Sequence, residues 1–167
     1  LAHAMLRQAG YAAVGFDHFA LPTDALAMAA ADGTLRRNFQ GFTEDQADVL
    51  VGLGASAISL FPDRILQNEK NSGRWHMAIG AGRFATARGI HRTAEDRLRG
   101  RAIEQLLCQG AADVAPLLDP AALRAALLPF EQRGLVTWCD ARVEIAPDAL
   151  PYARVIAARI DRYRSRS

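Results

Sequence analysis

Tyr11-Ala12-Ala13-Val14-Gly15-Phe16-Asp17-His18-Phe19-Ala20-Leu21 decides how the first half of the chain is read. The segment is apolar from its start and gains polar groups only near its end, at Asp17 and His18. That is the pattern of a buried strand. Pro22 stops it, since proline has no amide to continue a ladder. Thr23 and Asp24 are capping residues and predict a helix over Ala25–Ala31, closed by Gly33. Upstream, Leu1–Gln8 reads as the last turns of a helix before Gly10. Downstream, Thr34–Thr43 is too polar for a core strand and has no helical periodicity. Gly54–Leu60 is a second buried strand with small side chains, ended by Pro62, and a short helix is expected to about Asn68. Strand, helix, loop, strand is the βα rhythm of a barrel or parallel sheet. Two parallel strands need more sheet around them and cover on both faces. This section therefore reads as the tail of a larger sheet.

The pattern changes at Thr93. Thr93-Ala94-Glu95-Asp96 has the form of a capping box, and Leu98, Ala102 and Leu106 make one apolar helical face. Asp119-Pro120 caps a second helix with Leu123, Leu127 and Phe130 on its inner face, closed by Gly134. Leu135–Trp138 and Arg142–Ile145 are short strands joined at Asp140-Ala141. Pro147-Asp148 opens a third helix with Val155, Ile156 and Ile160. Helix, helix, hairpin, helix is the order of a winged-helix-like module. The reading is thus α/β followed by mostly α. Residues 1–80 would be the end of an incomplete (β/α) barrel, and residues 81–167 a small winged-helix-like domain. The junction is expected between about Trp75 and Arg92, a stretch rich in glycine, arginine and alanine.

Composition narrows the functions. Of 167 residues, 50% are hydrophobic and 23% charged, which allows a packed core and excludes a disordered chain. The net charge is only +2, and Lys70 is the only lysine. The would-be recognition helix, Pro120–Arg133, carries Arg124 and Arg133 against Glu131, too little charge for phosphate contacts. Nucleic acid is therefore not an expected partner. Val49–Phe61 is uncharged but shorter than the roughly 18 residues a membrane-spanning helix needs. Cys108 and Cys139 belong to no CxxC or CxxxCxxC group, so no cysteine-based metal site is expected in this chain. They fit reduced thiols in a cytoplasmic protein. The chain opens at Leu1 in mid-helix, which predicts a piece of a longer protein.

Three places can carry chemistry. Asp17-His18 pairs a carboxylate with an imidazole at a strand end, suited to acid–base work or to holding a loop. Adjacent strand side chains point to opposite faces, which argues against a dyad. In Arg36-Arg37-Asn38-Phe39-Gln40-Gly41, the Gln40 amide offers a donor and an acceptor to an amino-acid-like ligand. Phe39 can pack on a flat ring, and Gly41 lets a ligand approach the backbone. The same residues also suit a structural loop with its polar groups satisfied locally. Gly52-Leu53-Gly54-Ala55-Ser56 lacks the GxGxxG order and a following helix, which argues against a nucleotide loop. Its small side chains leave room for a cofactor covered by Ile58, or simply fill a crowded interior. His3, His76 and His91 have no partners at metal-ligand spacing.

Taken together, Gly15–Pro22, Arg37-Asn38-Phe39-Gln40-Gly41-Phe42-Thr43, Gly52–Ser59 and Gln67-Asn68 resemble the carboxy-terminal part of oxygen-independent coproporphyrinogen III oxidase. Arg88-Gly89-Ile90 and Asp96 continue the likeness. That family is made of radical S-adenosylmethionine enzymes of haem biosynthesis. The resemblance implies a monomeric cytoplasmic parent with an incomplete (β/α) barrel and a helical carboxy-terminal domain. It implies a [4Fe–4S] cluster on a CxxxCxxC loop and two molecules of S-adenosylmethionine. The reaction implied is oxidative decarboxylation of two propionates of coproporphyrinogen III to vinyl groups. Gln40 and Ile58 fall where the family contacts the second S-adenosylmethionine, with Phe39 beside it. No catalytic residue and no metal ligand fall in this chain, so it would need the rest of the barrel and be inactive alone. Phe42 and Glu44 depart from the family's usual Gly-Tyr-Thr-Thr. A haem chaperone of the same superfamily should lack the Asn38–Gly41 signature. A winged-helix module without chemistry is the alternative of a different class.

Overall fold

Gly15 breaks the expected long strand. In the computed structural model, which describes residues 2–164, Gly15 turns the chain with φ +58°. The segment then forms a hairpin of β1 (Ala12–Val14) and β2 (His18–Ala20), antiparallel, with Ala13 opposite Phe19. Helix α1 (Ala2–Gln8) precedes it. Asp24 caps helix α2 (Ala25–Ala31) through its Oδ1, which accepts from the Leu26 amide at 2.9 Å. The polar stretch that follows is a miniature hairpin of β3 (Arg36–Arg37) and β4 (Phe42–Thr43). Val14, Ala27, Ala29 and Leu35 are buried together with Cys108, far along the chain.

Cys108 belongs to helix α4 (Ala94–Gln109), whose start is the expected capping box. The Asp96 amide donates to Thr93 Oγ1 at 3.1 Å, and the Thr93 amide donates to Asp96 Oδ2 at 2.9 Å. The helix continues into β8 (Ala111–Asp113), a strand the periodicity did not announce. Next come α5 (Pro120–Glu131), capped by Asp119, and the hairpin β9 (Val136–Cys139) and β10 (Arg142–Ile145). The sheet order is β8-β10-β9, all antiparallel. The expected third helix is a 3₁₀ turn over Pro147–Tyr152 leading into a short α6 (Ala153–Ala157). Pro151 explains the change, because it denies the preceding turn an amide donor. Leu106, Leu127, Val143, Ile156 and Ile160 form the centre of the larger apolar cluster, with no exposed surface. Each such burial contributes about 1.5–3 kcal/mol.

The chain divides into two compact units, Leu1–Asp45 with Leu98–Ser167, and Gln46–Arg97. The division expected at 80/81 differs from this, because α4 packs with the residues before Asp45 as well as with those after it. The second unit holds an antiparallel sheet of β5 (Ile58–Leu60), β6 (Arg64–Asn68) and β7 (Thr86–His91) in that order, with helix α3 (Ser72–Gly80) between β6 and β7. The residues up to Asn68, expected as helix, are the central strand β6, whose backbone pairs with both neighbours. The stretch expected as a linker holds most of α3 and all of β7. Among the described residues the pairings are antiparallel throughout, so the parallel βα order does not describe this chain. What stands is a mixed α/β structure with small sheets.

Gly15 also admits the Phe42 ring. A Cβ added there would overlap the ring tip, with Phe42 Cε1 and Cε2 at 2.6 Å. Gly15→Ala therefore combines left-handed strain of about 1–2 kcal/mol with overpacking of about 1–3 kcal/mol. Urea unfolding is expected to show a loss of roughly 2–5 kcal/mol; a loss below about 1 kcal/mol would contradict the packing.

Candidate functional site

Asn38 builds the turn that carries Phe39 and Gln40. Its Oδ1 accepts from the Gln40 amide at 2.8 Å and the Gly41 amide at 3.3 Å. Its own amide donates to the Gly41 carbonyl at 2.9 Å, and Gly41 adopts φ +144°. The turn is thus closed from inside by a side chain that mimics a backbone acceptor. Phe39 and Gln40 are left exposed at its tip. Local satisfaction of the loop therefore comes from Asn38, and the aromatic face and the carboxamide remain open to solvent.

The turn hangs on three anchors. Phe42 packs its ring on Gly15 and meets Phe16 edge to face at 5.5 Å. The Arg37 guanidinium lies 5.6 Å from the centre of the Phe42 ring and 5.9 Å from that of Phe16. Such cation–π contacts contribute about 0.5–2 kcal/mol. Glu104 of α4 supplies the third anchor: its Oε1 accepts from Arg36 Nε and from the Arg37 amide, each at 2.9 Å. Glu104 is the residue sequence reasoning missed. It lies 67 positions from Arg37, and no local spacing marks it.

Asp17 and His18 do meet. His18 Nδ1 lies 2.6 Å from Asp17 Oδ1. The opposite-faces expectation fails because Asp17 stands in the turn and β2 starts at His18. The His18 ring also meets Phe42 edge to face at 5.1 Å. Both side chains are about half exposed, so the pair adds little stability. They line a cleft of about 210 Å³ together with His3, Phe16, Phe19 and Asp148.

Ile58 lies in the other unit, at the start of β5 and half-buried. The glycine-rich segment before it is stapled to the sheet. The Gly52 amide donates to Ser59 Oγ at 3.0 Å, and Asn68 Nδ2 donates to the carbonyls of Gly52 and Gly54 at 3.2 and 2.9 Å. Gln67, opposite Ile58 in the ladder, donates to the Ser56 carbonyl at 3.2 Å. A Cβ on Gly52 would stand 2.6 Å from the Ile58 carbonyl oxygen, so only glycine lets the loop close on this strand. Phe39 and Gln40 share one turn, while Ile58 belongs to a different compact unit.

The chain is 42% identical over 164 residues to the oxygen-independent coproporphyrinogen III oxidase of Bradyrhizobium diazoefficiens, covering 93% of this chain and 36% of that protein. It is 46% identical over 165 residues to the enzyme of that name from Cereibacter sphaeroides, covering 92% and 36%. The chain is homologous to oxygen-independent coproporphyrinogen III oxidases. It spans about 36% of the length of these relatives. The solved structure of coproporphyrinogen III oxidase from Escherichia coli, described as a radical S-adenosylmethionine enzyme, matches with a TM-score of 0.89 and 34% identity. That match covers 97% of this chain and 39% of the oxidase chain. No protein-family model matches.

Among the described residues, no group of three or more His, Cys, Asp or Glu side chains is placed to hold a metal ion. Cys108 and Cys139 do not fit an iron–sulfur cluster. Cys108 is buried, and burial, reinforced by Glu104, pushes its thiol up to about 12. A neutral buried thiol is a poor ligand and a poor nucleophile. Cys139 is exposed. Iodoacetamide at pH 8 is expected to alkylate Cys139 and spare Cys108 in the folded chain, and to modify both in urea. Mass spectrometry showing two rapid additions to the folded chain would refute the buried placement.

Proposed function

We propose that this chain forms part of an oxygen-independent coproporphyrinogen III oxidase, in which the Asn38–Gly41 turn holds S-adenosylmethionine. The observation carrying the reading is identity of 42–46% over 92–93% of the chain to enzymes of that name. The turn's geometry supports it. Asn38 satisfies the backbone amides, which leaves the Gln40 carboxamide for the amino and carboxylate groups of a ligand. The half-exposed Phe39 ring offers an apolar face beside it. Ile58, on a strand of the other unit held by its glycine loop, is by resemblance to the same family a further apolar contact for S-adenosylmethionine.

In the whole enzyme, S-adenosylmethionine and a [4Fe–4S] cluster supply a radical able to take hydrogen from a propionate of coproporphyrinogen III. This chain's residues bind and orient; they hold no cluster ligand and carry out no redox step alone. The buried side chains of the second unit among the described residues are Ser59, Ala85 and Glu95. A sheet with so little buried apolar surface fits a part that the rest of a (β/α) barrel would cover. The described residues contain no helix long and apolar enough to cross a membrane.

Two tests apply. The reading above Leu1 predicts a CxxxCxxC loop in the upstream coding sequence, and a coding sequence without one would remove the oxidase assignment. Gln40→Ala in the full-length enzyme deletes a hydrogen bond to a charged ligand group, a loss of about 1.5–3 kcal/mol. Vinyl formation at limiting S-adenosylmethionine is expected to fall roughly 10- to 100-fold with the unfolding midpoint unchanged. Normal turnover by the folded variant would take Gln40 out of the site.

A further inference from the structure

We infer that Glu104 is a positioning residue for the S-adenosylmethionine turn, acting through the backbone of β3. This rests on the functional reading of Gln40 above. The hairpin that presents the turn is very short: β3 and β4 share only the pairs Arg36↔Thr43 and Arg37↔Phe42. A ribbon of that size has no stability of its own in water. Asn38 fixes the shape of the tip but does not tie the tip to the body of the unit. Phe42 and the Arg37 guanidinium give apolar and cation–π contacts, which allow sliding. Glu104 gives direction.

One carboxylate oxygen, Oε1, takes both the Arg36 Nε and the Arg37 amide, at 2.9 Å each. The Arg37 amide immediately precedes Asn38, so this bond sets where the turn begins. Glu104 is only 24% exposed, where charge-assisted hydrogen bonds are stronger than at an open surface. Its helix cannot shift to follow the hairpin, because Ala102 and Leu106 on either side are buried in the larger cluster and Cys108 in the smaller one. The carboxylate is therefore a fixed post, and the depth and tilt at which Phe39 and Gln40 are presented follow from it.

The experiment uses the full-length enzyme that carries this segment, with equilibrium dialysis of labelled S-adenosylmethionine as the binding readout and thermal unfolding as the fold control. Glu104→Ala is expected to weaken the binding that Gln40→Ala weakens, by about tenfold. Glu104→Gln keeps an acceptor for the Arg37 amide and is expected to recover most of that loss. In the double variant Gln40→Ala/Glu104→Ala, the loss of binding should be clearly smaller than the product of the two single losses, because Glu104 acts largely through the placement of Gln40. Amide exchange at Arg37 should quicken in Glu104→Ala and recover in Glu104→Gln. If Gln40→Ala weakens binding and a folded Glu104→Ala does not, Glu104 is not a positioning residue and the functional reading survives. Losses that multiply in the double variant also overturn the inference, since they make the two residues independent. If Gln40→Ala binds normally, the functional reading falls and takes this inference with it.

Discussion

Helix α4 is a wall with a cluster on each side, and the first unit depends on that double use. Ala102, Leu106 and Leu107 enter the larger apolar cluster, while Cys108, one residue on, enters the smaller cluster with Val14, Ala27 and Leu35. A helix turns about 100° per residue, so four consecutive positions can face both ways. Two distant pieces of sequence are joined through this one element. The Gln109 side chain adds a polar tie, donating to the Gly33 carbonyl at 2.8 Å. Glu104 of the same helix is what meets β3.

What the sequence revealed follows from the range of each interaction. Caps are local, and Asp24, Thr93 with Asp96, and Asp119 before Pro120 each cap the helix expected of them. The faces of α5 were legible because Leu123, Leu127 and Phe130 repeat at helical spacing. Strand direction was not legible. Strands of two or three residues carry no usable period, and Tyr11–Leu21 reads as one buried strand although Gly15 folds it back on itself. Nor was β6 legible: Ile65 and Leu66 are adjacent and carry no alternation, and its two ladders define it.

The candidate site divides along the same line. That Asn38, Phe39, Gln40 and Gly41 form one unit was visible in their adjacency. That Asn38 closes the turn needed the structure, which shows its Oδ1 accepting from the backbone amides of Gln40 and Gly41. Asn68 and the Gly52–Gly54 loop are a further case. They are separate motifs in the sequence, 14 to 16 residues apart, and the structure joins them by two hydrogen bonds. Glu104 had no visible signal, because its meaning lies wholly in a partner 67 positions away.

Phe42 is one of the two departures from the family pattern that the sequence resembles, standing where a tyrosine is usual. The tip of its ring rests on Gly15, and its faces and edges meet Phe16, His18 and the Arg37 guanidinium. Every one of these contacts uses carbon and the π-system, and none requires a hydroxyl. The aromatic body alone therefore suffices to dock the β3–β4 hairpin on the β1–β2 hairpin. Its removal would cost the hairpin its packing, whereas the absence of a phenol costs only a hydrogen bond that nothing in this contact set calls for. The constraint that makes the ring fit is Gly15: the same residue reverses the first hairpin and leaves the space the second one fills. The pair Gly15 and Phe42 thus turns two marginal ribbons into one support for the turn that carries Gln40.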